Sequence, residues 1–322
     1  MIMNTMNKKF DFKSFAKKNI MILILIVLVI VCSVSSEYFL TANNLLNVIR
    51  QVSISGILSI GMTLVLLTGG IDLSIGYIMA MVTVLIASFA DINPIVVVII
   101  AVIGGIVCGT ANGSLITFVG IPPFIVTLGM MKVLDGIALM ISNGSPIPKS
   151  PEALLFLGRG KIGGVFPVQA VVFILVCIVI AIMLKKTKLG RYIYAIGGNS
   201  EASRLCGINV HKVTIAVYVI CGVLAAIGGI LMETQLGMGK SGVGEGYEMD
   251  AITAAVIGGT SLSGGVGTVG GTIIGAFIIG ILSNFLNLMN VSSYYQTIIK
   301  GAIVVVASAI QCGGLLKKRK SI

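Results

Sequence analysis

Few residues in this chain have the types and spacing that chemistry needs. One histidine, His211, and six cysteines, Cys32, Cys108, Cys177, Cys206, Cys221 and Cys312, are scattered with no paired spacing. Five of the cysteines fall inside apolar runs, where a thiol behaves as a small hydrophobe. No metal or cofactor is expected, because nothing has the ligand spacing of a zinc or iron site. Two nucleotide-like motifs are decoys. Gly239-Lys240-Ser241 ends like a phosphate loop, yet its first glycine would fall at Thr234 and no strand precedes it. Gly265-Val266-Gly267-Thr268-Val269-Gly270 fits GxGxxG but lies between apolar runs, and no acidic residue follows Asp250 to hold a ribose. With no nucleophile near a base either, the chain is not expected to be an enzyme by itself.

What remains are ionisable and amide groups within or beside apolar sequence. Lipid penalises such groups, which makes each a functional candidate: Asp72, Lys132, Asp135 and Lys300 among the charges, Glu248 and Asp250 at the start of a run, and Asn112, Asn284 and Asn287. Each has an ordinary reading beside the functional one. Asp72 would cap a helix after the Gly69-Gly70 break, and the asparagines would bond helix to helix. Asp72, Asn112, Glu248, Asp250, Asn284 and Asn287 are taken as candidate lining of a translocation pathway.

The elements that must position these groups are membrane helices. Of 322 residues, 57% are apolar and 10% charged, against roughly a quarter charged in soluble domains. Spans of about 20 apolar residues are read at Ile20 to Ser36, Val52 to Gly70, Leu73 to Ala90, Pro94 to Val119, Phe124 to Ser142, Phe166 to Leu184, Val213 to Met232, Ala251 to Ser263, Val269 to Leu288 and Tyr294 to Cys312. The expected fold is an all-α polytopic membrane protein with about ten transmembrane helices, some broken or short, forming a single permease-like domain over 1–322. The first run is read as a retained anchor. The net charge of +11 concentrates in a basic tail within 1–19, at Lys185 to Arg191, and at Lys317 to Lys320 in a tail at 313–322. By the positive-inside rule all three are cytoplasmic, so both termini and the segment 185–212 lie inside a cell membrane. Anionic lipid then accounts for the charge, and nucleic acid is not needed. Lys149, Arg159 and Lys161 fall on the outer side and run against this scheme. The segments Asn143 to Pro167 and Gly237 to Asp250 read as outer loops. Glycines at Gly105, Gly109 and Gly113, and at Gly271 and Gly275, have the spacing that lets helices approach closely; their echo across the two halves suits an internal repeat.

Between the sixth and seventh spans lies a polar island, Gly190 to Lys212. Asn199-Ser200-Glu201-Ala202-Ser203-Arg204-Leu205-Cys206-Gly207 reads as a two-turn helix with Asn199 as N-cap and Gly207 past its end. Ala202, Leu205 and Cys206 share one face, Glu201 and Arg204 another. So short a helix cannot stand alone in water and must dock. A partner motor gripping it would supply energy to a chain with no nucleotide site.

At this point the sequence resembles a known family. Gly61-Met62-Thr63-Leu64-Val65, Thr68-Gly69-Gly70-Ile71-Asp72-Leu73-Ser74, Leu189 to Asn199 and Gly246-Tyr247-Glu248-Met249-Asp250 through Leu262 resemble the sugar permease subunits of bacterial ABC importers. Asn143-Gly144-Ser145-Pro146 and Val291-Ser292-Ser293-Tyr294-Tyr295-Gln296 point most to permeases for ribose. The resemblance implies a homodimer of permeases, a cytoplasmic ATPase subunit and an extracytoplasmic sugar-binding protein, with sugar passing by alternating access. It gives the coupling role to Asn199, Ala202 and Gly207, to which the charge and packing of the island add Arg191, Glu201, Arg204 and Leu205. Two departures stand out: Ser203 where many relatives have alanine, and Asp135 where relatives often have arginine. A branched-chain amino-acid importer permease and an ion-coupled secondary transporter are the alternatives.

Overall fold

The computed structural model describes residues 20–319, with side chains described to residue 309; the basic N-terminal tail, Cys312 and the side chains of Lys317 to Lys320 lie outside these limits. Thirteen helices are described. They are α1 (Ile20–Ser35), α2 (Ala42–Leu67), α3 (Ile75–Ser88), α4 (Pro94–Ser114, extended by a π turn over Leu115–Val119), α5 (Pro123–Ser142), the short α6 (Leu155–Arg159), α7 (Val168–Lys186), α8 (Lys188–Gly198), α9 (Ser200–Leu205), α10 (Val210–Leu236), α11 (Tyr247–Ile257), α12 (Val269–Leu288) and α13 (Ser293–Arg319). Six stretches are long and apolar enough to cross a membrane: α2, α4 with its π turn, α5, α7, α10 and α12. The shorter α1 and α3 are also apolar. The chain is an all-α polytopic membrane protein apart from one small hairpin, β1 (Lys161–Ile162) and β2 (Phe166–Pro167), which with α6 orders the long loop after α5.

Polar residues hide the true start of α2. It begins at Ala42, ten residues before the apolar run at Val52, because Asn44, Asn47, Arg50 and Gln51 break the hydropathy without breaking the helix. Thr41 caps it, its hydroxyl oxygen accepting from the Asn44 amide. At the other end of the chain α13 runs to Arg319, so most of the expected C-terminal tail continues the last helix.

The expected eighth span, Ala251 to Ser263, is not a full helix. α11 has 11 residues, about 16 Å at 1.5 Å each, half the thickness of a hydrocarbon core. Nor is Gly237 to Asp250 an outer loop. From the end of α10 the chain passes in successive turns alongside α3: Gly239 lies against Thr83 and Ala87, and Gly244 against the Gly76 carbonyl. Only glycine permits backbone to touch backbone in this way. α11 follows directly.

α2 and α10 form the core, with most of their residues buried. The pairings recur in two halves. α10 packs on α4 as α2 packs on α12; α10 on α3 as α2 on α11; α3 on α5 as α11 on α13. α2 ends beside Gly197 of α8 and Gly265, whereas α10 starts beside α9 and runs away from it. The halves α2–α5 and α10–α13 are therefore inverted relative to each other, an arrangement common in transporters. The two glycine stripes sit on the equivalent helices α4 and α12 but meet different neighbours: Gly105 and Gly109 face the carbonyls of Gly222 and Tyr218 on α10, while Gly271 and Gly275 face Gly258 and Ala254 at α11.

The α4–α10 contact gives a paired test. A Cβ at Gly105 would meet the Gly222 carbonyl, whereas one at Gly104 meets only the ends of the Leu85 and Met81 side chains, at 3.4 and 3.6 Å. Gly105→Ala should cost about 1–3 kcal/mol of stability and Gly104→Ala should be near neutral, read as thermal stability of the purified protein in detergent.

Candidate functional site

Two features could serve function: a polar cavity inside the bundle and the α8–α9 surface at one end of it.

The cavity opens where α11 begins. Gly246, at φ 85°, leads the preceding turns into helix, so the first turn of α11 points into a space of about 530 Å³ bounded by α2, α12 and α13. That volume lies within the range of about 300–1,000 Å³ common for small-molecule sites. Gln51 and Ser55 face it from consecutive turns of α2, and Glu245, Asp250, Ser283 and Thr297 add polar groups from the other walls. Lys300 of α13 donates to Asp250 Oδ2 at 2.8 Å. The two side chains are only 26% and 17% exposed, so the pair is stronger than a surface ion pair and joins α11 to α13. Such a lining of short hydroxyls, amides and one charge pair among apolar walls can exchange hydrogen bonds with a polyhydroxylated solute.

A second cavity of about 440 Å³ lies beside the first, sharing Gln51 and Tyr247 with it and adding Asn47, Arg50, Arg159 and Gln235. Gln169 Nε2 donates to Gln235 Oε1 at 2.8 Å, and the guanidinium of Arg159 donates to the Gln235 carbonyl at 3.1 Å. Next to it Glu233, fully buried on α10, accepts from Ser150 at 3.1 Å and pins the long loop. Lys149 pairs with Asp91 at 2.6 Å. Part of the basic charge that ran against the assigned topology is thus neutralised locally.

The structure separates the six sequence-derived pathway residues. Asp250 lines the larger cavity. Glu248, next to it, is turned away: one oxygen accepts from the Gly246 amide at 3.3 Å and the other lies against Gly76, in the first turn of α3. The positive end of that helix favours a carboxylate there. Asp72 and Asn112 belong to a different cluster, fully buried. Asp72 Oδ1 accepts from the Ser74 amide at 2.9 Å and its hydroxyl at 2.6 Å, and Asn112 Nδ2 donates to Ser74 Oγ at 2.9 Å. Asp72 is therefore buried within the protein and braces the turn that leads into α3. Asn284 and Asn44 exchange amide hydrogen bonds at 2.8 and 3.0 Å, joining α12 to α2. Asn287 is exposed and accepts from Gln296. Gln51, Ser55, Ser283 and Thr297 were not singled out. Gln51 and Ser55 were legible as polar residues four apart, but the span had been started at Val52.

The α8–α9 surface follows the expected island with one addition. α8, Lys188–Gly198, is amphipathic, burying Gly190, Ile193 and Ile196. The alternation of charged and aromatic residues on its other face obscured that period. Tyr194 ties it down by donating to the Gly267 carbonyl at 2.8 Å, and burial raises this phenol above its ordinary pKa. Asn199 caps α9, its side-chain oxygen accepting from the Ala202 amide at 2.9 Å. Gly207, at φ 82°, closes the helix with two bonds, Gly207 N–H to Arg204 and Ile208 N–H to Ser203, each at 3.0 Å. Ser203 is buried and donates to the Asn199 carbonyl at 2.8 Å, so its departure from alanine falls on the inner face. Ala202, Leu205 and Cys206 are all exposed, Leu205 at 85%. Arg204 and Glu201 pair at 2.9 Å in solvent beside them, and Arg191 is exposed on α8. The apolar face that had to dock has nothing from this chain upon it among the described residues.

The profile of a family described as branched-chain amino acid transport system / permease component matches residues 44–308. The chain is 41% identical over 306 residues, 93% of its length and 95% of the relative's, to the ribose import permease protein RbsC of Escherichia coli (strain K12). It is also 41% identical to RbsC of Bacillus subtilis (strain 168), over 99% of this chain and 98% of the relative. The chain belongs to this family of ABC-importer permeases. The D-allose transport system permease protein AlsC of Escherichia coli (strain K12) is 35% identical over 94% of each chain. No solved structure is a significant match. The permease is thus the membrane component of an importer whose ATP is hydrolysed by a separate subunit.

The Asp250–Lys300 pair yields a double-mutant test. Lys300→Met alone leaves a half-buried carboxylate unpaired and should lower stability by about 1–3 kcal/mol. Asp250→Asn combined with Lys300→Met should recover most of that, and thermal unfolding of the wild type and both variants checks it.

Proposed function

We propose that the permease moves ribose or a related monosaccharide across the cell membrane by alternating access, driven by ATP hydrolysis in a cytoplasmic ABC subunit. The end-to-end identity to two ribose import permeases carries this reading. Two copies of the permease form the pathway and an extracytoplasmic sugar-binding protein delivers the substrate. There are ten crossings: α1 to α5, α7, α10, the turns of 237–246 taken with α11, α12 and α13. Both termini and α8–α9 are then cytoplasmic, on the side where Lys185 to Arg191 meets anionic lipid.

In this mechanism the ATPase grips α9. Ala202 and Leu205 are the apolar contact, Glu201, Arg204 and Arg191 border it, and Asn199 and Gly207 hold its ends. Movement of α9 passes through α8, whose Gly197 abuts the Leu67 carbonyl at the end of α2, and so to the wall that carries Gln51 and Ser55. Sugar hydroxyls exchange brief hydrogen bonds with Gln51, Ser55, Asp250, Thr297 and Lys300. Asp72 with Asn112, Glu248, and Asn284 hold the walls in place, and Asn287 lies at the rim.

A second reading is favoured by one observation: the Asp250–Lys300 pair offers opposite charges to the two ends of a zwitterion, and the matched family profile is described by branched-chain amino acids. Co-purification of the tagged permease from its native cells, followed by ATPase assays with the binding protein, separates the two. Stimulation by ribose and not by leucine supports the sugar; the reverse overturns it. Uptake that survives without an ATPase subunit and collapses with an ion gradient would overturn both.

Ala202→Glu and Gly207→Pro should each abolish uptake, at least tenfold below wild type, with the protein still in the membrane and co-purification of the ATPase lost. Normal uptake by either well-expressed variant would remove the coupling role from α9.

A further inference from the structure

A groove of about 480 Å³ stays open where α7, α8 and the start of α12 meet. Ile178 and Ala181 of α7 and Ile273 of α12 give it apolar walls, and Lys185 and Tyr194 stand at one end. Ile178, Val179 and Ile182 leave the outward side of α7 apolar and exposed, as a span in contact with hydrocarbon requires. Lys185 lies in the last turn of that span. The groove therefore begins at the membrane boundary and runs about 10 Å into the hydrocarbon, the rise from Lys185 to Ile178.

The charges at its polar end have one sign. α7 and α8 carry Lys185, Lys186, Lys188 and Arg191, and no acidic residue occurs in α7, α8 or α12. Lys185 makes no ion pair or hydrogen bond among the described residues. Tyr194 is already committed to the Gly267 carbonyl, so it forms a wall and answers no charge. Two neighbouring glycines at the start of α12 differ in their reason for being glycine. Gly271 abuts the Gly258 carbonyl, whereas a Cβ at Gly270, on the wall of the groove, would meet no atom within 4 Å. Packing within the chain does not need glycine at 270, and the missing side chain widens the groove.

We propose that this groove holds an anionic phospholipid, with one acyl chain along Ile178, Ala181 and Ile273 and the phosphate at Lys185. The inference goes beyond the proposed function and needs only that α7 spans the membrane. Depth decides against a soluble partner, which would have to reach into hydrocarbon to fill the groove, whereas an acyl chain is already there. Charge decides which lipid. Four basic residues with no acid among them favour a headgroup of net negative charge over a zwitterionic one, whose own cation they repel. The Lys185 stem can lie along the apolar wall and keep its ammonium at the level of the phosphate. Because three elements wall the groove, the lipid ties α7 and α8 to the start of α12, beside the Tyr194–Gly267 bond.

The test is native mass measurement of the assembled importer released from nanodiscs of equal parts phosphatidylglycerol and phosphatidylcholine. The wild type should retain phosphatidylglycerol over phosphatidylcholine by at least threefold. Lys185→Gln removes the charge, and Gly270→Leu grows a side chain into the groove from a position where a Cβ meets nothing. Each should cut the retained phosphatidylglycerol at least threefold, while Lys212→Gln, at an exposed basic residue outside the groove, should leave it unchanged. Equal retention of the two lipids, no loss in either groove variant, or as large a loss from Lys212→Gln as from Lys185→Gln would overturn the site. Thermal unfolding in detergent separates a lipid from a free anion. Added phosphatidylglycerol should raise the unfolding temperature of the wild type and not of Gly270→Leu; inorganic phosphate alone raising it as much would overturn the lipid as occupant.

Discussion

Within hydrocarbon no water is present to satisfy a free amide or carbonyl, and this rule governs how the permease can break its helices. The chain breaks twice inside the bundle, between α2 and α3 and between α10 and α11. In each place side chains take up what the backbone loses. At the first break Asp72 takes the Ser74 amide, Asn112 braces Ser74, and the Ile71 carbonyl accepts from Thr127 at 3.2 Å. At the second, Gly239 exchanges backbone hydrogen bonds with Ile147, and Thr83 bonds both the amide and the carbonyl of Lys240 at 3.2 Å.

Those repairs determine where polar groups can appear. Asp72 and Glu248 are each held through one carboxylate oxygen at a turn and enclosed by neighbouring helices, and so they sit outside the cavity they seemed suited to line. The second break, because it leaves the first turn of α11 facing open space, creates the cavity. Its wall of Gln51, Ser55, Asp250, Thr297 and Lys300 comes from three helices distant in sequence. The reciprocal amide pair of Asn44 with Asn284 and the single hydroxyl bond between Thr63 and Thr272 at 2.6 Å tie α2 to α12 and keep those walls in register.

The surface at α9 obeys another constraint. In water a six-residue helix has too few hydrogen bonds to persist, and here caps at both ends and a buried Ser203 hold it against α8. Its outward face is then free of structural duty and available to a partner. α8 joins it to the bundle through Gly197, against the end of α2, and Tyr194, bonded to the loop before α12.

Hydropathy, charge and local capping are properties of neighbouring residues, so they could be read directly: an apolar chain of many spans, the α9 helix with Asn199 and Gly207 at its ends, and the glycine stripes of α4 and α12. Family membership was also legible, in contiguous motifs. What depends on residues far apart in sequence was not. Asn44 falls outside every span read from hydropathy, and only the structure sets Asn284 opposite it; Gly237 to Asp250 looked like a loop until Gly76 and Thr83 were beside it. Asp250 and Asp72 are both acids next to apolar sequence, yet only the packing of α13 against α11 gives Asp250 a lysine and a cavity, while the packing of α4 closes over Asp72. Burial and hydrogen-bond partners are decided by tertiary contact, and with them the difference between an acid that holds the fold and one that meets a solute.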